Sequence, residues 1–391
     1  MIDMNRRWIA AAVATASLCA GVAVSAPASA ASPASPGGRG PGQCALTDGT
    51  LTATTTVNEE LTDRFRSYAE TGGAWTGGDS TFSLPRPGGT TGWFFSDTFL
   101  GTVNADGSRP ADSPFVNNSV VLEDRRGGMT TVTGGTPEAP AGIIPPEPDG
   151  RWYWIGDPTP GAHGTVQVPL LQFERTGSGS FDFRWTANRL AILDGDSLQL
   201  DTIVDRPSET GINWGSWTLE EGPTTYIYGI ADPGGVRSAY VARAQGRDGI
   251  AGDWSFWDGS GWSGQEADAV PVVPYVANEF SVARFRDGYL LVTQDTSELF
   301  STRIVARTSC SPTGPFTDPV ELYRTPETGL AGSYGDADVF TYNAHEHPNL
   351  RTGNRILVTY NVNTFDNVGD VYDDASIYRP RFLDVRLDVR R

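Results

Sequence analysis

The sequence predicts an all-β protein, a five-bladed β-propeller with four-stranded antiparallel blades, on three observations. The first is a short aromatic or aliphatic run ending in an acid or its amide, which occurs five times: Trp93–Asp97, Tyr153–Asp157, Tyr228–Asp232, Leu291–Asp295 and Leu357–Asn361. The final residues lie 60, 75, 63 and 66 positions apart, a period that β-rich sequence fills when each repeat is one blade. The second is that strand-forming segments flank tight-turn residues just upstream of these runs. The third is that the C-terminal segment Arg381–Leu387 could share a sheet with residues 50–57, the usual way a propeller ring closes.

Met1–Ala30 has a basic start (Arg6, Arg7), an apolar stretch and a small-residue site at Ala28–Ala30, and reads as a secretory signal peptide. Residues 31–43 are mostly Pro, Gly, Ala and Ser with no core-forming residue and read as a disordered linker, leaving residues 44–391 as the propeller domain. Asn58–Glu70 is the one helix-like stretch. In the first repeat Gly78–Leu84 meets Gly92–Thr98 across Pro85–Gly89. The third pairs Trp214–Trp217 with Thr225–Tyr228, the fourth Glu279–Ala283 with Tyr289–Val292, and the fifth Asn343–His345 with Ile356–Val358. In the second, Asn118–Leu122 is expected as the first strand, ahead of a Gly-, Pro- and Thr-rich insertion at 127–150 and a second strand at Arg151–Trp154. Each terminal Asp or Asn is then expected to end the second strand of its blade.

The net charge is −18, and all 29 basic residues are arginine. An acidic surface disfavours phosphate backbones, so nucleic acid is an unexpected partner and a neutral polysaccharide a compatible one. No apolar run beyond the leader reaches the roughly 20 residues that span a bilayer. The expectation is a secreted, extracellular monomer that does not bind membranes. Cys44 and Cys310, the two cysteines left after the leader, are expected to form a disulfide in that oxidising compartment.

Candidate chemistry concentrates in the first hairpin. Leu84 opposite Gly92 sets a register that places Asp79 opposite Asp97, with Cβ atoms about 5 Å apart. Two carboxylates so placed repel, and one holds its proton to higher pH. Glycoside hydrolysis needs such a pair, one to protonate the leaving oxygen and the other to attack or to activate water. Asp97 alternatively only ends a strand, as Asp157, Asp232 and Asp295 do. Asn118, with Asn117 beside it, could bond sugar hydroxyls or cap a strand, and Trp214 and Trp217 could stack on a sugar ring or pack between blades. Glu279 heads a first strand as an acid or a hydroxyl ligand. Asn343 and His345 are placed at the central cavity, and His345 with His347 alone does not make a metal site. No cofactor is expected, with a structural Ca²⁺ at the loop acids Asp336, Asp338, Asp373 and Asp374 left open.

Trp75–Asp79, Trp93–Gly101, Tyr342–His345 and Tyr378–Phe382 resemble the secreted five-bladed propellers of the domain of unknown function 4185 type. Members of that group are endo-D-arabinanases of glycoside hydrolase family 183, which cut actinobacterial cell-wall D-arabinan. The resemblance spans roughly residues 50–388 and implies Asp79 and Asp97 as the catalytic pair. A neighbouring uncharacterised family of five-bladed propellers shares the Asn343–His345 and Tyr378–Phe382 segments. The alternatives are an exo-acting furanosidase and a non-catalytic carbohydrate-binding or adhesion propeller.

Overall fold

The structure, a computed structural model, describes residues 44–72, 74–366 and 368–390. The signal peptide and linker expected at 1–43 lie outside them. Five antiparallel sheets form a five-bladed β-propeller, mostly with four strands to a blade. Blade 1 runs outward through Ala74–Arg86, Thr90–Gly101, Ser119–Glu123 and Met129–Val132. Blade 3 begins at Asn213–Glu221 and Thr224–Ala231, and blade 4 at Phe280–Phe285 and Gly288–Gln294, as the turn signals predict. Blade 5 combines Val339–Glu346, Arg355–Thr364 and Pro380–Arg390 with the N-terminal strand Thr50–Val57, so both chain ends close the ring. The disulfide Cys44–Cys310 fastens the N-terminal segment to blade 4.

Blade 2 departs from expectation. Ser119–Glu123 pairs with Thr90–Gly101 and is the third strand of blade 1. Blade 2 instead begins with an inner strand split into Trp152–Ile155 and Thr159–Pro160, followed by Val166–Arg175, Phe183–Leu193 and Leu200–Asp205. Pro158 cannot donate to a ladder, which accounts for a break between the two pieces. The run ending in Asp157 is therefore an inner strand and not a second one.

Apolar residues facing inward from successive blades, among them Phe82, Val168, Tyr228, Phe280 and Leu291, form the central core. The helix Glu59–Glu70 is capped by the Asn58 side chain, which accepts from the Leu61 amide at 2.9 Å. It buries Leu61, Phe65 and Ala69 at four-residue spacing against blade 1. Phe65 lies 5.2–6.1 Å from the rings of Trp75, Trp93, Phe95 and Phe382. The helix thus backs the strands that carry Asp79 and Asp97. Among the described residues no helix is long and apolar enough to cross a membrane.

Candidate active site

The first hairpin holds the predicted register at its closed end and again at Gly78, but not between. Phe82, Ser83 and Leu84 face Phe94, Trp93 and Gly92, and Gly78 again faces Thr98, but between them Ser80 pairs with Phe95. The resulting β-bulges take Asp79 and Asp97 out of the ladder, so they are not the regular cross-strand pair that the register suggests. Ser80 and Thr81 adopt φ of 67° and 66°, a costly region for side chains that tends to persist at functional sites. Asn343 (58°) and Tyr378 (76°) share it, so four of the ten non-glycine residues with positive φ among those described surround one spot. Gly77 is required there: a Cβ would come within 2.5 Å of the Tyr378 carbonyl and of the Arg109 side chain.

That spot is the floor of a cavity of about 1080 Å³, lined by Asp79, Asp97, Asn117, Glu279, Tyr342, Asn343 and Tyr378 with aromatic residues of blade 2. Asp79 Oδ2 accepts from the hydroxyls of Tyr342 (2.9 Å) and Tyr378 (3.1 Å), while its Oδ1 is buried without a partner. Asp97 Oδ1 accepts from the Asn117 amide and the Trp154 indole, both at 2.8 Å. Their donors are neutral, and among the described residues neither forms an ion pair. Acids elsewhere do: Asp295 pairs with Arg303 and Glu346 with Arg351.

Loss of water raises both carboxyls, Asp79 to about 6 and Asp97 to about 7, and the Asp79 charge adds to the rise at Asp97. The tyrosine donors pull Asp79 partly back down. Glu279 is pushed well above its ordinary value by burial and then by Asp79. Its Oε1 accepts from Asn343 at 2.8 Å and its Oε2 is buried without a hydrogen-bond partner. The floor therefore holds three carboxyl groups that share fewer than three charges near neutral pH. A raised pKa alone does not define a site, since burial also lifts Asp157 to about 8, and that residue only anchors Thr218 of the next blade.

Other predicted residues lie elsewhere. Asn118 is fully buried, bonding Ile144 and the Tyr153 carbonyl outside the cavity; adjacent residues point to opposite faces, so Asn117 reaches Asp97 instead. Trp214 is buried against Trp254 and Phe256, donates to Glu266 at 2.7 Å and offers no platform. Trp217 donates across to the Val282 carbonyl of blade 4. His345 sits beneath the floor, stacked 5.0 Å from Phe82, with its ring nitrogens facing the carbonyls of Asn343 and Thr81. Burial lowers it to about 4, so it is neutral. Among the described residues no group of three or more His, Cys, Asp or Glu is placed to hold a metal ion.

Sequence reasoning missed Tyr342, Tyr378 and Trp154. The tyrosines stand at the heads of two conspicuous segments, Tyr342–His345 and Tyr378–Phe382, which was the available signal. Replacing either by Phe removes one donor to ionised Asp79 without changing shape. The expected result is a further rise of the Asp79 pKa by about one unit, seen as an upward move of the acid limb of a pH–rate profile with the melting curve little changed.

A Bacteroides ovatus ATCC 8483 protein provisionally described as a hydrolase superposes with a TM-score of 0.71 at 21% identity, over 85% of this chain and 90% of its own. A thermostable family-43 glycoside hydrolase superposes at 0.45, with 13% identity over 81% and 90% of the two chains. The α-L-arabinofuranosidase of Podospora anserina gives 0.43, with 11% identity over 80% and 92%. The first of these shares the propeller fold. No curated protein sequence matches the chain. The family model that does match is not of the 4185 type, and arabinan thereby loses direct support from family membership. It covers residues 62–387, and the chain belongs to the family described as a domain of unknown function, DUF5005.

Proposed function

We propose that this protein is a secreted glycoside hydrolase in which Asp79 and Asp97 act together on a furanoside polymer, with D-arabinan the first candidate. The observation that carries the reading is the aspartate pair itself: two carboxyls raised by burial, Asp97 further by the charge of Asp79, and held by neutral donors on the floor of an open cavity. A binding module gains nothing from keeping like charges together without a cation, whereas hydrolysis needs one carboxyl protonated and one ionised. Between about pH 6 and 7 the pair holds one proton. Two tyrosine donors favour the charge on Asp79, which suits the role of nucleophile or base. Asp97, the higher of the two, suits the acid that protonates the leaving oxygen. Glu279, its carboxyl held well above the ordinary range by burial, lies beside them as a hydrogen-bonding group.

The hydrolase description of the B. ovatus protein agrees with this reading, and D-arabinan rests on the segments that resemble the arabinanases. The test is to recover the protein from culture medium and incubate it with arabinogalactan and lipoarabinomannan. Release of arabinose or arabino-oligosaccharides is expected, with a bell-shaped rate centred between pH 6 and 7. Binding of these glycans with no released sugar at any pH would establish the adhesion alternative instead.

A further inference from the structure

The cavity is spanned on one side. The second and third strands of blade 2 are joined by residues 176–182, and those of blade 5 by residues 365–379. Both connections leave the face on which the cavity opens. Phe181 from the first and Phe365 from the second meet with ring centroids 6.1 Å apart. Blades 2 and 5 are not neighbours: blade 1 lies between them, touching Trp152–Ile155 on one side and Arg355–Thr364 on the other. The contact is therefore an arch over blade 1, the blade that carries both aspartates.

The arch continues inward as an aromatic chain. Phe365 lies 4.7 Å from Phe340 and 4.9 Å from Phe300, which belongs to the connection between the second and third strands of blade 4, and Phe340 lies 5.5 Å from Tyr342, whose hydroxyl bonds Asp79. Its footing on blade 5 is held by Arg109. This buried guanidinium donates to the carbonyls of Val371, Ala375 and Ile377 and lies 4.6 Å over the Phe99 ring. Phe181 remains 49% exposed and Phe365 43%, so the two rings meet at the cavity mouth and neither is engulfed by the core. On the far side, blade 3 lines the same cavity with polar groups, including Asn213, Asp232 and Arg237, and Asn278 joins them from just ahead of the first strand of blade 4.

We infer that this site takes chain ends: a glycan enters from the side of blade 3, its terminus stops against the Phe181–Phe365 arch, and short units are removed from the end. The inference rests on the glycosidase reading and deepens it. A polymer cut in its interior must leave the site in two directions, and the arch occupies the exit over blade 1. The division of the walls suits a terminus. Sugar C–H faces pack on aromatic rings at the closed side, while hydroxyls find donors and acceptors at the open one. The volume lies at the upper end for small-molecule sites, enough for a short segment. Cleavage within the chain, implied by the resemblance to the arabinanases, would need that exit open.

The probes are two fluorescent arabinofuranose oligosaccharides of one length, one with free ends and one capped at both ends by bulky groups. The natural protein is expected to cut the free-ended probe and to leave the capped probe nearly untouched. Phe181→Ala with Phe365→Ala opens the exit, and the ratio of capped to free-ended rates should rise about tenfold or more, within the range that a steric pocket discriminates. Should the double variant fail to fold, Phe181→Ala alone, at an exposed loop tip, gives the same readout. Equal cutting of both probes by the natural protein overturns the chain-end inference and leaves the glycosidase reading standing. No cutting of either overturns both.

Discussion

Asp79→Asn and Asp97→Asn are each expected to lower hydrolysis by about 10²–10⁴-fold, the range for loss of one acid–base group, while leaving the protein more stable than its parent above pH 7. The activity loss follows from the two roles: an amide neither gives up a proton to the leaving oxygen nor attacks. Because the two groups act as a unit, the double variant should be little worse than either single one. The gain in stability has a definite sign. Folding raises both carboxyls from 3.8 to about 6 and 7, so the folded chain binds more protons than the unfolded one across that interval. Stability therefore falls as pH climbs from about 4 to about 7, and stays lowered above it. An asparagine escapes this cost. Below pH 4 both forms are neutral and the variants should match the parent. Above pH 7 each should exceed it by about 1–2 kcal/mol, discounted for the open side of the cavity. Progress curves with thermal melts at pH 4 and pH 8 check both halves. Equal loss of stability at both pH values would mean that the aspartates hold the fold together and have no catalytic part.

The same floor explains why the backbone there is strained. Ser80, Thr81, Asn343 and Tyr378 all sit at positive φ, and each directs a group onto an acid or the strand beside it. Asn361, the last of the recurring residues, donates to Thr81 Oγ1 at 3.1 Å and so holds the bulge from blade 5. Stability is given up at this point and recovered in the ring, a distribution found where a site is kept for its chemistry.

Much of this was legible in the chain because propeller grammar is local. A hairpin declares itself through a turn and two alternating strands, and four of the five blades follow from that alone. Blade 2 was misread because its inner strand is broken at Gly156–Pro158 and ends in the same aromatic-then-acid pattern as a second strand. Nothing in that pattern tells strand direction. Asn118 was misjudged by one position of side-chain parity, a distinction that depends on where the short pairing of Phe115–Val116 gives way to Ser119–Glu123. The Asp79–Asp97 pair was legible as a pair but not as a bulge, since a register sum carries no record of an inserted kink. Tyr342 and Tyr378 come from segments 36 positions apart and converge only when the last blade closes on the first. No spacing rule could join them to Asp79.

Replacing both Cys44 and Cys310 by Ser is expected to cost about 3–5 kcal/mol, because the bond closes a loop of 266 residues in the unfolded chain. In a protein of this size that lowers the melting temperature by roughly 4–7 °C. The bond's position sharpens the expectation. The N-terminal strand Thr50–Val57 is the outermost of blade 5 and reaches blade 4 through the Thr55 hydroxyl, which donates to the Leu322 carbonyl at 2.6 Å. Just before it, the amides of Ala45 and Leu46 donate to the Asp287 carboxylate at 2.6 and 3.1 Å. The folded seam between blades 4 and 5 is thus held by contacts that do not need the disulfide, and the bond acts chiefly by limiting the unfolded ensemble. Activity at 25 °C should then survive in the double variant, since the tyrosines on Asp79 are fixed by blade 5 itself. A variant that keeps its melting temperature would show that the loop is already restricted when unfolded. One that loses activity well below its melting point would show that the seam, through Tyr342 and Tyr378, sets the geometry at Asp79.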